Sequence, residues 1–183
     1  MGRPHDTIDH RLAEWIEAQP VFFVATAPNS PTGHVNCSPK GNRHELVVLS
    51  DRSVAYLDQT GSGAETIAHL RENGRIVLML CAFEGAPRIV RIHGHGRVLT
   101  AHADGFGAVA ARFGGAEGVG VRSIIVIDAT RIADSCGYGV PLMNMSGHRP
   151  VLDEWATRKG RQGIERYWEE HNALSIDGLP GMD

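Results

Sequence analysis

The sequence predicts a mainly β domain with flanking helices (α+β), whose six or seven antiparallel strands form a barrel. Three observations carry this. Short β-branched and aromatic runs alternate with Gly/Pro/Asn/Asp clusters, so neighbouring strands pair as hairpins. One run, 75–83, is almost continuously apolar, as in a strand buried on both faces, and 121–127 is a second buried strand. Helical spacing is confined to two short internal stretches and the two ends. Antiparallel strands in this number within a small domain remove their edges by closing on themselves.

The elements follow in order. Residues 9–19 predict an amphipathic helix, with Leu12, Trp15 and Ile16 at i, i+3, i+4, ended by Pro20. Residues 21–27 (VFFVATA) and 34–38 predict strands joined by the turn cluster 28–33. A second hairpin spans 46–49 and 53–57. Residues 66–72 place Ile67 and Leu70 on one helical face, and Gly74 suits the left-handed residue after a helix. After the strand at 75–83 and a turn at 84–87, residues 88–99 alternate. Val90, Ile92, Gly94, Gly96 and Val98 share one face; Arg91, His93, His95 and Arg97, joined by Ile89, share the other. Residues 103–113 predict a helix stopped by Gly114 and Gly115. Beyond 121–127, a glycine-proline loop at 136–141 leads to two helices, 150–159 and 163–171, and an aperiodic tail from 175. We read the 183 residues as one domain, 1–183, with a barrel core over 9–134 and a C-terminal helical extension over 135–183.

Composition narrows the function. With 42% hydrophobic and 21% charged residues, the chain is ordinary globular protein. At this length a single core buries close to ~70% of the unfolded surface. A formal charge of -3 gives no support for a nucleic-acid partner. No apolar run reaches membrane-spanning length, and the first ten residues lack the apolar region of a signal peptide. Cys37, Cys81 and Cys136 have neither disulfide-framework nor zinc spacing, so no metal is expected. Cys37 and Cys81 read as small core residues. A cytoplasmic protein is the expectation.

Three stretches carry candidate chemistry. In YLDQTGSGAET, 56–66, a strand runs through a Gly-Ser-Gly turn into a helix. Backbone amides there, with the hydroxyls of Thr60, Ser62 and Thr66, suit a phosphate. Alternatively, Ser62-x-x-Glu65 forms a capping box that satisfies the same donors internally, and Glu65 repels an anion. In HVNCSPKG, 34–41, a proline at a strand end marks an edge or bulge that aims Ser38 and Lys40 at a ligand, or leaves a solvated lysine. The row Arg91, His93, His95, Arg97 is a solvated or subunit-facing surface, or it offsets a phosphate. No Ser-His-Asp order is present.

These runs, with LCAFEGAPRIVRIHGHGRV and the tail SIDGLP, resemble the FMN-binding split barrel of the pyridoxamine 5′-phosphate oxidase-related family over roughly residues 9–134. The resemblance implies an antiparallel six- to seven-stranded split β-barrel, a homodimer, and FMN held between subunits. It points to Asn36, Ser38 and Lys40 on the first run, and to Asp58, Thr60, Ser62 and Thr66 on the second. The strand from Arg88 would pass the flavin, with Arg88 and Lys40 as charges near N1 and the C2 carbonyl. Two departures matter. The basic residue many members carry at the helix start is replaced here by Ala64, Glu65 and Thr66, so Lys40, Arg88 or Arg91 must offset the phosphate. No Arg, Lys or His follows His171, so the motif that grips pyridoxamine phosphate in the oxidases is missing.

The resemblance thus implies an FMN-binding oxidoreductase acting on a small organic substrate, with no catalytic acid or base named. The alternatives are a non-catalytic protein binding a flavin or another phosphorylated ligand, and a split barrel using haem or the deazaflavin F420. In the haem case His93 or His95 is the axial ligand. In the C-terminal extension, Tyr138 is the candidate lid, while Trp155 and Trp168 read as packing residues.

Overall fold

A computed structural model describes residues 4–42, 44–114 and 118–182; Gly115, expected to help end the helix at 103–113, lies outside them. The strands are β1 (Pro4–His5), β2 (Phe22–Thr26), β3 (Asn36–Lys40), β4 (Leu46–Ser50), β5 (Ser53–Gln59), β6 (Arg75–Cys81), β7 (Ile89–Leu99) and β8 (Val121–Ser135). The helices are α1 (His10–Glu17), α2 (Glu65–Asn73), α3 (Phe106–Ala110), which continues as a 3-10 turn at Ala111–Phe113, and α4 (Val151–His171).

All strand pairs are antiparallel, in the order β3-β2-β6-β7-β8-β5-β4, with β1 added to β8. The predicted class holds, with two corrections. The sheet has eight strands, because Pro4–His5 pairs with Ala133–Ile132. It is also not closed: β3 and β4 end the path without pairing to each other. Pro39 explains part of this. It sits inside β3, which is paired on one side by β2, and a proline has no N–H to offer a second neighbour.

The inner face of the sheet is apolar over most of its area. Phe22, Val24, Leu78, Leu80, Val90, Ile92, Ile125, Ile127 and Ile132 point inward, closed by Leu12 and Ile16 of α1. Each such side chain contributes about 1.5–3 kcal/mol on burial. Asp9 caps α1, its carboxylate accepting from the Leu12 N–H at 2.8 Å. On the outer face, α3 and its 3-10 turn cover only one end, where Phe113 meets Val47, Leu57, Ile124 and Val126. The rest of that face carries Phe23, Ala25, Val77 and Met79 half-exposed, beside Arg91, His93, His95 and Arg97. Cys37 lies there too and is exposed, contrary to its reading as core. Alternation puts it opposite Asn36 and Ser38, on the solvent side of an edge strand.

Other boundaries moved for local reasons. β3 begins two residues later than expected. β8 extends to Ser135, because 128–135 pairs with β7 although its sequence is polar. The capping box is absent: the residue before α2 is Ala64, which makes no side-chain cap, and Ser62 lies two residues further out. The two C-terminal helices meet at Gly160, whose φ of 65° and ψ of 173° are not helical. The fold-back there is large. Twelve residues of straight helix would span about 18 Å, yet the Trp155 and Tyr167 ring centres are 5.1 Å apart. No helix among the described residues is long and apolar enough to cross a membrane.

Gly94 sits at the β7 bulge, where a Cβ would collide with the Asp128 carbonyl and crowd Ile127. Gly94→Ala is expected to lower stability by about 1–3 kcal/mol through forced backbone shifts, read as a lower urea midpoint with an unchanged slope.

Candidate functional site

The open seam of the sheet is lined with polar groups. Alternation along β3 turns Asn36, Ser38 and Lys40 inward, opposite Thr26, Val24 and Phe22 of β2. From the other side of the seam β5 presents Tyr56 and Asp58, both fully buried.

Asp58 is the electrostatic centre. Its carboxylate accepts from Arg122 Nε at 2.6 Å, from Lys40 Nζ at 3.1 Å and from the Ser123 hydroxyl at 3.3 Å. Burial by itself pushes this carboxyl up. The charges and hydrogen bonds of Arg122 and Lys40 overcome it and hold Asp58 below the ordinary carboxylate range. Arg122 does more: its Nη1 donates to the Gly63 carbonyl at 2.8 Å and to Asn172 Oδ1 at 2.9 Å. Asn172, itself fully buried, donates to the Gly61 carbonyl at 3.0 Å. The Gly-Ser-Gly loop is thus held by its carbonyls from β8 and from the end of α4. Thr60 is held as well, donating to the Gly120 carbonyl and accepting from Trp168 Nε1.

A second network runs beside the first. Ser38 donates to Asn36 Oδ1 at 2.9 Å, and Asn36 Nδ2 donates to Thr66 Oγ1 at 3.0 Å and Thr26 Oγ1 at 3.2 Å. Thr26 meets His69 Nδ1 at 2.9 Å. Since Thr26 already accepts from Asn36, the assignment leaving fewest groups unpaired has its hydroxyl donating to His69 Nδ1. His69 Nε2 then carries the hydrogen and has no acceptor. Burial pushes the His69 pKa down, against the pull of Asp177, Glu65 and Glu72, so the ring is neutral. The Tyr56 hydroxyl, near Thr66, also completes no hydrogen bond. Burial pushes its pKa well up and the Asp58 charge adds to that, so it stays a neutral donor.

Of the residues predicted from sequence, Asn36, Ser38, Lys40, Asp58 and Thr66 come together in this seam. Thr60 and Ser62 lie on the adjoining loop, Thr60 buried and Ser62 exposed. Arg88 and Arg91 do not join them. Arg88 stacks on Trp15 and pairs with Asp134 at 2.8 Å, while Arg91 donates to Ser135 on the outer face. His93 and His95 share that outer face, away from the seam. Arg122, Asn172 and His69 were missed. A signal existed for the first: an arginine inside the buried run 121–127 needs an inward carboxylate, and Asp58 is the one at a strand end.

Residues 8–136 match the family model for pyridoxamine 5′-phosphate oxidase. The chain belongs to this family. Among curated proteins it is similar to the pyridoxamine 5′-phosphate oxidase family protein ustO of Aspergillus flavus, 38% identical over 97% of this chain and 77% of that protein. Among solved structures, the family's barrel is similar to HupZ of Group A Streptococcus (20% identity, TM-score 0.57, 75% of this chain and 99% of that one). It is also similar to an FMN-binding protein of Syntrophomonas wolfei subsp. wolfei (15% identity, TM-score 0.50, 68% and 82%). At those identities the likeness establishes the split-barrel fold.

Asp58→Asn leaves Lys40 and Arg122 buried without a counter-charge and is expected to lower stability by about 3–5 kcal/mol. In the wild type the folded pKa of Asp58 lies below its unfolded value of about 3.9. Its contribution is therefore complete above that value and is lost as pH falls through the folded one. Urea midpoints between about pH 6 and pH 2.5 should fall more steeply at the acid end for the wild type than for the variant.

Proposed function

We propose that the chain is an FMN-dependent oxidoreductase acting on a small organic substrate, with the cofactor held along Asn36, Ser38, Lys40 and the start of α2. The observation that carries this reading is the seam itself: hydroxyl, amide and ammonium donors lie side by side where the barrel fails to close. Family membership and the FMN-binding neighbour support a flavin in particular. The donor set fits one. Lys40 is 16% exposed and gives Asp58 one contact, which leaves ammonium hydrogens for an anionic group. Ser38, Asn36 and Thr66 match the hydroxyls of a ribityl chain, and the space around Gly61 is open. Glu65 is the discordant residue, since its carboxylate folds over Gly63.

FMN, when bound, supplies hydride chemistry between the substrate and a second electron carrier. The protein's part is placement and field. Lys40 is held by Asp58 at a fixed position, Arg122 fixes the loop by its carbonyls, and Tyr56 offers a neutral hydroxyl donor.

We further propose a homodimer in which a second copy covers the half-exposed strip of the outer face. The segment between β8 and α4 supports this: Tyr138 is 82% and Leu142 80% exposed, with Met143 and Met145 beside them. Residues 141–150 belong to no helix or strand, and all of them are exposed in their own chain. The free thiols of all three cysteines suit a reducing, cytoplasmic location.

A non-catalytic flavin-binding role is favoured by one observation: the hairpin segment 172–182 carries no Arg, Lys or His to hold a charged substrate. Reduction of the bound flavin by NADH or NADPH, followed by reoxidation, separates the two.

Purified protein mixed with FMN and desalted should retain the flavin absorbance. Lys40→Ala is expected to weaken FMN binding by about 10–100-fold, the worth of one charge-assisted hydrogen bond. Ser38→Ala is expected to have a smaller effect. A wild type that retains no flavin overturns the cofactor reading. For the dimer, Met143→Asp should shift the sedimentation coefficient toward the monomer.

A further inference from the structure

The last ten residues of the described chain do not trail off. After Asn172 they fold into a tight hairpin. The Gly181 N–H donates to the Ala173 carbonyl, the Met182 N–H to the Asn172 carbonyl, and Ser175 and Leu179 bond across a turn at Gly178, where φ is 75°. Both sides of the seam hold this hairpin. On the α2 side, the Ile176 N–H donates to Glu65 Oε1 at 3.2 Å, and Gly181 packs so close to Ala64 that a Cβ would not fit. On the β3 side, Asp177 accepts from the His34 N–H at 2.8 Å and meets His34 Nδ1 at 2.7 Å.

Between these two contacts runs the Asn36–Thr66 hydrogen bond. Glu65 is the neighbour of Thr66, and His34 precedes Asn36 by two residues. A chain bonded to both therefore crosses the line along which β3 meets α2. Beneath it lies His69, fully buried, with one ring nitrogen unpartnered.

We propose that the hairpin 173–181 is a gate across this seam, clasped by Asp177 and His34, and that it must swing away before a ligand reaches Asn36 and Thr66. Three features fit a gate better than a fixed wall. The hairpin is a preformed unit, stitched by its own backbone. On the β3 side it is held through one carboxylate, Asp177, bonded to the backbone N–H and the ring of His34, and that ring is solvent-exposed. Leu174 and Ile176 point outward, so no apolar core would tear on opening. Asn172 is the fixed end, since it is buried and bonded to Arg122 and Gly61.

The placement of the gate rests on the seam being the binding site, as proposed above, but its motion can be tested without a flavin. In a background with Cys37 and Cys136 replaced by serine, Thr66→Cys puts a thiol under the hairpin. Its labelling by iodoacetamide reports opening. Adding Asp177→Ala should raise the labelling rate about tenfold, the effect of losing hydrogen bonds to a carboxylate, and His34→Ala, which keeps the backbone bond, should raise it less. Hydrogen exchange should rise in 173–181 and stay unchanged in β5 and β8. Equal labelling rates with and without the clasp overturn the gate. So does a loss of protection that spreads through the whole barrel, which would mark the clasp as merely structural. In parallel, FMN association followed by flavin fluorescence should accelerate in Asp177→Ala. Faster labelling with no FMN binding in any variant keeps the gate and rejects the flavin. FMN binding whose rate ignores Asp177 keeps the flavin and rejects the gate.

Discussion

The carboxylate of Asp58, buried between Lys40 and Arg122, is the constraint on which the rest of the structure turns. A carboxylate with no solvent exposure is tolerated only with charge partners and a full set of hydrogen bonds, and here the partners come from two other strands. Lys40 is on β3, at one end of the sheet's path. Asp58 is on β5, next to the other end. Arg122 belongs to β8, between them in pairing order. An ion pair therefore joins the two sides where backbone pairing stops. That is how the barrel can stay split without its ends drifting apart. A closed barrel would use this edge for backbone hydrogen bonds and leave no polar groups facing inward.

The same arginine carries the constraint outward. A guanidinium offers five donors, and Arg122 spends them on Asp58, the Gly63 carbonyl and the Asn172 side chain. Asn172 passes the contact to Gly61, and Trp168 adds a bond to Thr60. Loop, strand and C-terminal helix are thereby one hydrogen-bonded unit, although they are far apart in sequence. A segment that looks like an appendage in the sequence turns out to define the conformation of the loop where the ligand is expected.

Most of the fold was legible because it is written in local pattern. Alternation in 88–99, the apolar run at 75–83 and the turn clusters each specify a strand without reference to anything distant. The inward placement of Asn36, Ser38 and Lys40 follows from the same two-residue period. What was not legible depends on partners remote in sequence. Arg122 reads as one polar residue in an apolar strand until Asp58 is placed opposite it. Arg88 reads as an unpaired cation until Trp15 and Asp134 are placed beside it. The capping box failed because the pattern of Ser62 and Glu65 cannot reveal that the helix starts two residues too late for Ser62 to cap it. The proline in 34–41 marked an edge locally, but which strands end the sheet is a property of all of them together and depends on the full pairing order.

Two buried polar atoms then bear on whether the seam is structural or functional. The Tyr56 hydroxyl and His69 Nε2 have no partner, and an unmet buried donor costs about 1–3 kcal/mol. Neither is needed for packing. A phenylalanine at position 56 would keep the edge-to-face contact with Phe22, 5.5 Å between ring centres, and shed the cost. At position 69 one ring nitrogen is engaged by Thr26 and the other is left over. Both residues instead sit at the junction of the two networks, Tyr56 between Asp58 and Thr66 and His69 behind Thr26. A purely structural seam would be more stable without these two unmet donors. A seam that completes its hydrogen bonds with something that enters it would need them as they are. The cost is then paid by the empty state alone, and it disappears when a ligand or ordered water supplies the missing acceptors.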